Sequence, residues 1–103
     1  MSKIFISVGM NGRTHEEIAD DIIRADQWIT ENLKDKGFDE IEVINNLDCT
    51  APKKASRLWC LGQAIIKLGN CDACYFVKGW ENYKGCRAEM EICKIYGIEV
   101  YEE

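Results

Sequence analysis

Apolar and polar residues follow two alternating rhythms along this chain. Lys3 to Val8 (Lys-Ile-Phe-Ile-Ser-Val) lacks polar alternation, as expected of a strand covered on both faces of a parallel sheet. Ile41 to Ile44 forms a second, shorter run of strand type, and Cys71 to Val77 a third that is rich in aromatic and apolar residues. Between these runs the spacing becomes helical. Ile18, Ile22, Ala25, Ile29 and Leu33 form one inward stripe, headed by Thr14-His-Glu-Glu17 with the spacing of a capping box and closed by Gly37. A second helix is predicted over Ala55 to Leu68, carrying Leu58, Trp59, Leu61, Ile65, Ile66 and Leu68. A third covers Cys86 to Tyr96; Gly97 stops it, and a last strand follows.

The order β-α-β-α-β-α-β predicts one domain over residues 1–103. Its fold class is a three-layer α/β sandwich with a four-stranded parallel sheet of order 2-1-3-4, of flavodoxin or Rossmann type. Ligands of such sheets bind beyond the carboxyl ends of the strands, where the strand order reverses. Here that crevice lies between the first and third strands, so the loops Gly9 to Arg13 and Gly79 to Gly85 should face each other. Gly9-Met10-Asn11-Gly12-Arg13 joins a strand to a helix start, a common place to hold an anion, and Arg13 adds a charge suited to phosphate or carboxylate. The pattern is neither a dinucleotide fingerprint nor a P-loop. His15 reads as a solvated first-turn residue. The polar connection Asn45 to Lys54, with the only proline, Pro52, is the least patterned part of the chain.

On the third helix, Cys86, Ala88, Met90, Ile92, Cys93, Ile95 and Tyr96 fill one arc, opposite Arg87, Glu91 and Lys94. Glu89 falls inside the apolar arc. A carboxylate buried there without a partner would cost several kcal/mol, so it should be paired, protonated or open to a pocket. A helix start at Cys86 puts Glu89 in the first turn, where the helix dipole favours an anion. Two readings stand: a structural carboxylate bonded to backbone or Arg87, or a functional one.

Composition narrows the partners. The chain is 47% hydrophobic and 30% charged, an ordinary globular balance, and its net charge of −5 argues against a nucleic-acid polymer. Lys53, Lys54 and Arg57 make the second helix start basic, a feature that usually means solvation. Six cysteines without a signal peptide, set within strand and helix patterns, predict reduced thiols in the cytoplasm. Cys71-Asp-Ala-Cys74 has redox or zinc spacing but lies on a strand without a second pair, and His15 is the only histidine, so neither a metal site nor a cofactor is expected. No apolar run approaches the roughly 20 residues that would span a membrane.

Two segments carry a resemblance. Lys3-Ile-Phe-Ile-Ser-Val-Gly-Met-Asn-Gly12, together with Cys71-Asp-Ala-Cys-Tyr-Phe-Val-Lys-Gly-Trp-Glu-Asn-Tyr-Lys-Gly-Cys-Arg-Ala-Glu89, resembles the small bacterial and phage proteins described as nucleoside 2-deoxyribosyltransferase-like. The specific parts are Asp72, the Gly79-Trp80-Glu81-Asn82 segment and the step from Gly85 to Glu89; the middle of the chain matches only in pattern. The resemblance implies that Glu89 is the nucleophile on a deoxyribosyl group and that Asp72 helps to handle the base. It implies a nucleoside or nucleotide substrate, transferase or N-glycosidase chemistry, and a homodimer or higher oligomer. Tyr83 stands where these enzymes often carry an aspartate, leaving base protonation to Asp72 or Glu81. Trp80 can stack on a departing base or anchor its loop; Ser7 and Asn82 can bond sugar hydroxyls or cap turns. Trp28, Trp59 and Trp80 offer aromatic surface for an interface or belong to the core. A nucleotide-binding or sensing module without turnover is the alternative, and a redox protein using Cys71 and Cys74 ranks third.

Overall fold

A computed structural model describes residues 2–38, 40–47, 49, 52 and 56–103. The elements are β1 (Ser2–Ser7), α1 (His15–Asn32), β2 (Ile41–Ile44), α2 (Arg57–Leu68), β3 (Ala73–Phe76), α3 (Lys84–Tyr96) and β4 (Glu99–Glu102), with short 3-10 turns at Lys34–Lys36 and Trp80–Asn82. All strands are parallel, in the order β2-β1-β3-β4. The expected helix start at Ala55 and the basic pair Lys53 and Lys54 lie outside the described residues.

The period-two alternation of β1 assigns its two faces. Ile4, Ile6 and Val8 meet α1, whose Ile18, Ile22, Ala25 and Ile29 are buried together with its C-cap Leu33, and Ala73, Tyr75 and Val77 of the β3 segment complete that layer. Phe5 points the other way, with Cys74 and Phe76, into a second layer closed by Ala64 and Leu68 of α2 and Met90 and Cys93 of α3. Ser7 shares the parity of Phe5 and so aims at the α2/α3 side.

Local signals act where the sequence puts them, with shifts of a few residues. Thr14 and Glu17 form the reciprocal capping box at the head of α1. Gly37, in the left-handed region at φ 92°, closes the 3-10 turn after α1 rather than the helix itself. Gly97, also left-handed, caps α3. The apolar arcs of α2 and α3 proved wider than the stripe that packs: Leu58 is 72%, Ile66 61%, Ile95 67% and Tyr96 77% exposed. A helix lying on a sheet buries roughly one 100° stripe, so apolar residues flanking it stay in solvent.

Candidate active site

Glu89 is the one acidic side chain in the buried interior among the described residues, 6% exposed. Its Oε1 accepts a hydrogen bond of 2.6 Å from Ser7 Oγ at the carboxyl end of β1, and Ser7 itself is 1% exposed. Burial pushes the Glu89 carboxyl up to about 7, and the Ser7 bond pulls it partly back. Such a group is held near its midpoint at neutral pH, which suits acid, base or nucleophile work. Cys86, one turn earlier on the same face of α3, also bonds Ser7; burial raises its thiol to about 11, so it remains protonated. Its spacing of three residues from Glu89 was visible in the sequence, but its tie to Ser7 was not.

The helix dipole plays a smaller part than the sequence implied. α3 begins at Lys84, two residues ahead of expectation, so Glu89 sits in the second turn and the first turn carries no acid. Gly85 lies inside the helix rather than in the loop. The charged reading of Glu89 therefore rests on Ser7 and not on free N–H groups at the helix start.

The loop after β1 and the loop after β3 do meet, through a contact the sequence did not announce. A Cβ on Gly9 would fall 2.2 Å from the Tyr83 ring, so the ring lies directly on the Gly9 backbone and only glycine fits. Residues Met10 to Arg13 form a tight turn, with Arg13 N bonding Met10 O at 3.2 Å and Gly12 left-handed at φ 77°. Asn11 and Gly12 are exposed at its tip, and Met10 packs against the α1 layer.

Arg13 is already engaged. Its guanidinium bonds Gly9 O at 2.9 Å and pairs with Asp21 at 2.7 Å, and the Asp21 bond raises its already high pKa. Asp21 pairs in turn with Arg24, which grips Glu103 through Nε and Nη2. Arg13 precedes the Thr14 cap of α1, so helical periodicity gave no signal for this contact.

Trp80 is a loop anchor. Its indole N–H donates to Glu102 at 2.9 Å and its ring packs 5.4 Å from that of Phe76. Glu81 and Asn82 are exposed. With Lys78, Gly79, Trp80, Glu102 and Glu103 they line an open depression of about 290 Å³. Its three carboxylates make it a poor seat for phosphate. A second depression, of about 330 Å³, lies on α1 at Ile23, Asp26, Gln27, Thr30 and Glu31.

Asp72 is not part of this constellation. It precedes β3 at the amino end of the sheet, where its carboxylate accepts from Lys3 N at 2.8 Å and its own N–H donates to Lys3 O at 2.7 Å. Ser7 lies four residue steps along β1 from Lys3, about 13 Å at the usual rise per residue, so Asp72 and Glu89 occupy opposite ends of the sheet. A strand aspartate and a helix glutamate can look adjacent in a motif while parallel topology sends them to different edges.

The pairing implied by the Cys71/Cys74 spacing is also absent. Cys71 donates to Lys67 O at 3.2 Å, whereas fully buried Cys74 donates to Cys93, which lowers the Cys93 thiol and raises that of Cys74. Among the described residues no cluster of three or more His, Cys, Asp or Glu could hold a metal ion. No described helix is long and apolar enough to cross a membrane. Comparison with known proteins adds no assignment: no family model, no curated protein and no solved structure matches the chain.

Proposed function

We propose that this chain is an N-glycosidic-bond enzyme of the nucleoside 2-deoxyribosyltransferase kind, acting on deoxynucleosides or deoxynucleoside monophosphates with Glu89 as nucleophile. The observation that carries the proposal is the buried Glu89 carboxyl bonded to Ser7 beside the first loop, at the edge where open parallel sheets bind ligands. In this reading ionised Glu89 attacks the anomeric carbon, the base departs as it gains a proton, and water or a second base then breaks the glycosyl ester. Ser7, by donating to the carboxylate, favours its ionised form and fixes its direction. Glu81, exposed in the neighbouring loop, is the carboxyl left to protonate the base. With Glu89 only 6% exposed, sugar entry requires the packing around it to open.

The competing reading is a nucleotide-binding or sensing module of the same fold. Tyr83, which stands where the resembled enzymes often carry an aspartate and lies on the Gly9 backbone, favours it, because binding needs no acid to protonate a departing base whereas turnover does. Incubation with a panel of deoxynucleosides and their monophosphates, with and without a second base, separates the readings. Free base alone marks a hydrolase, exchanged nucleoside a transferase, and saturable binding without product a sensor. No binding and no product would overturn both. Glu89→Gln should abolish base release while leaving ligand affinity nearly unchanged, since an amide keeps the shape but is a very poor nucleophile.

The proposal includes a homodimer or higher oligomer, supported by exposed Leu58 and Ile66 on α2, and a reducing cytoplasmic setting, supported by six free thiols. Sedimentation at micromolar concentration showing only monomer would count against the first.

A further inference from the structure

Cys49, in the connection between β2 and α2, and Cys60, in the first turn of α2, are drawn together. Their sulfurs lie 3.6 Å apart across 11 residues of chain, and both cysteines are half-buried, within reach of a small reagent. One residue holds both in place. Asn46, 8% exposed, accepts from Cys49 N at 3.2 Å through its backbone carbonyl and donates its side-chain amide to Cys60 O at 3.1 Å. Lys67 Nζ in turn fixes the Asn46 Oδ1 at 2.8 Å. The clamp ties the start of the connection to the first turn of α2, so the sulfurs need approach by only about 1.5 Å to reach bonding distance.

We propose that Cys49 and Cys60 form a reversible disulfide, making the rim of the β2–α2 connection a redox-modification site for small disulfides of the glutathione class. One thiolate attacks a sulfur of the small disulfide, forming a mixed disulfide and expelling one small thiol. The second cysteine then attacks the mixed disulfide at the protein sulfur and expels the other small thiol. Two electrons and two protons leave the cysteine pair, and the oxidant is reduced to two thiols. Burial and the neighbouring Cys49 push the Cys60 thiol up, so the exchange should accelerate as pH rises above neutral. The other cysteines lack this combination of proximity and access: Cys74, Cys86 and Cys93 are buried, and Cys71 is tied to Lys67 O.

The test exposes the reduced full chain to oxidised glutathione, then maps the cysteines by alkylation, digestion and mass spectrometry. The expected product is an intramolecular Cys49–Cys60 link that forms before any other pair, is released by dithiothreitol, and is lost in Cys49→Ser and in Cys60→Ser. Closing a ring of this length should also raise Tm by about 5 °C or more. Resistance of Cys74, Cys86 and Cys93 to alkylation before denaturation reports that each variant is folded. Should a variant unfold, the map of the wild-type chain decides alone. Mixed disulfides that persist on Cys49 and Cys60 without a link would overturn the proposal, as would a link through Cys71 or Cys74 that forms first. An equal gain in Tm for Cys60→Ser would do the same.

Discussion

Replacing Glu89 with glutamine removes one titration from the folded chain, and the structure sets both its sign and its size. Burial moves this carboxyl from its ordinary 4.5 to about 7, so the folded state holds the proton more tightly than the unfolded state. A group raised in this way contributes stability that is fully present below about pH 4.5, declines as pH rises towards 7, and is gone above it. The difference corresponds to about 3 kcal/mol, a substantial fraction of the stability of a domain this small. Glutamine cannot ionise. Urea unfolding of wild type and Glu89→Gln should therefore show the variant gaining on wild type by about 3 kcal/mol between about pH 4.5 and pH 8. Other titrating groups, such as the lowered Asp21 and Glu103, are common to both proteins and cancel in the difference. A difference that stays constant over this range would refute the reasoning, because it would mean that Glu89 ionises in the folded chain as it does in the unfolded one.

Four further outcomes follow from the same contacts. Ser7→Ala removes the bond that favours the Glu89 carboxylate, so carbon-detected NMR titration should find the Glu89 midpoint higher still, and any base-release profile should move to higher pH. Gly9→Ala forces a methyl group into the Tyr83 ring and should cost about 1 to 3 kcal/mol in urea unfolding, with Gly9→Ala/Tyr83→Ala recovering most of it. Asp72→Ala should lower stability by about 1 kcal/mol through the lost Lys3 contact and leave base release by the folded protein unchanged. Asp21→Asn weakens the pairs with Arg13 and Arg24 at the surface; its cost should stay near or below about 1 kcal/mol and shrink with added salt in thermal melts.

The architecture was legible in the sequence because every signal for it is local. The unalternating Lys3 to Val8 run, the Ile18-to-Leu33 stripe, the Thr14–Glu17 box and Gly97 each act within a few residues of themselves, and their order leaves few topologies open to a short chain. The burial of Glu89 was legible too, since helical periodicity placed it among apolar neighbours. What that carboxyl bonds was not. Ser7 is 82 residues away, and only the pairing of β1 with β3 and the seating of α3 on their shared face bring the two together. The same long-range geometry sends Asp72 to the opposite edge, lays Tyr83 on Gly9, neutralises Arg13 with Asp21 and ties Trp80 to Glu102. Residue type and spacing determined which side chains could do chemistry. Tertiary packing decided which remain for it, because a charge or ring that finds an internal partner is no longer offered to a ligand.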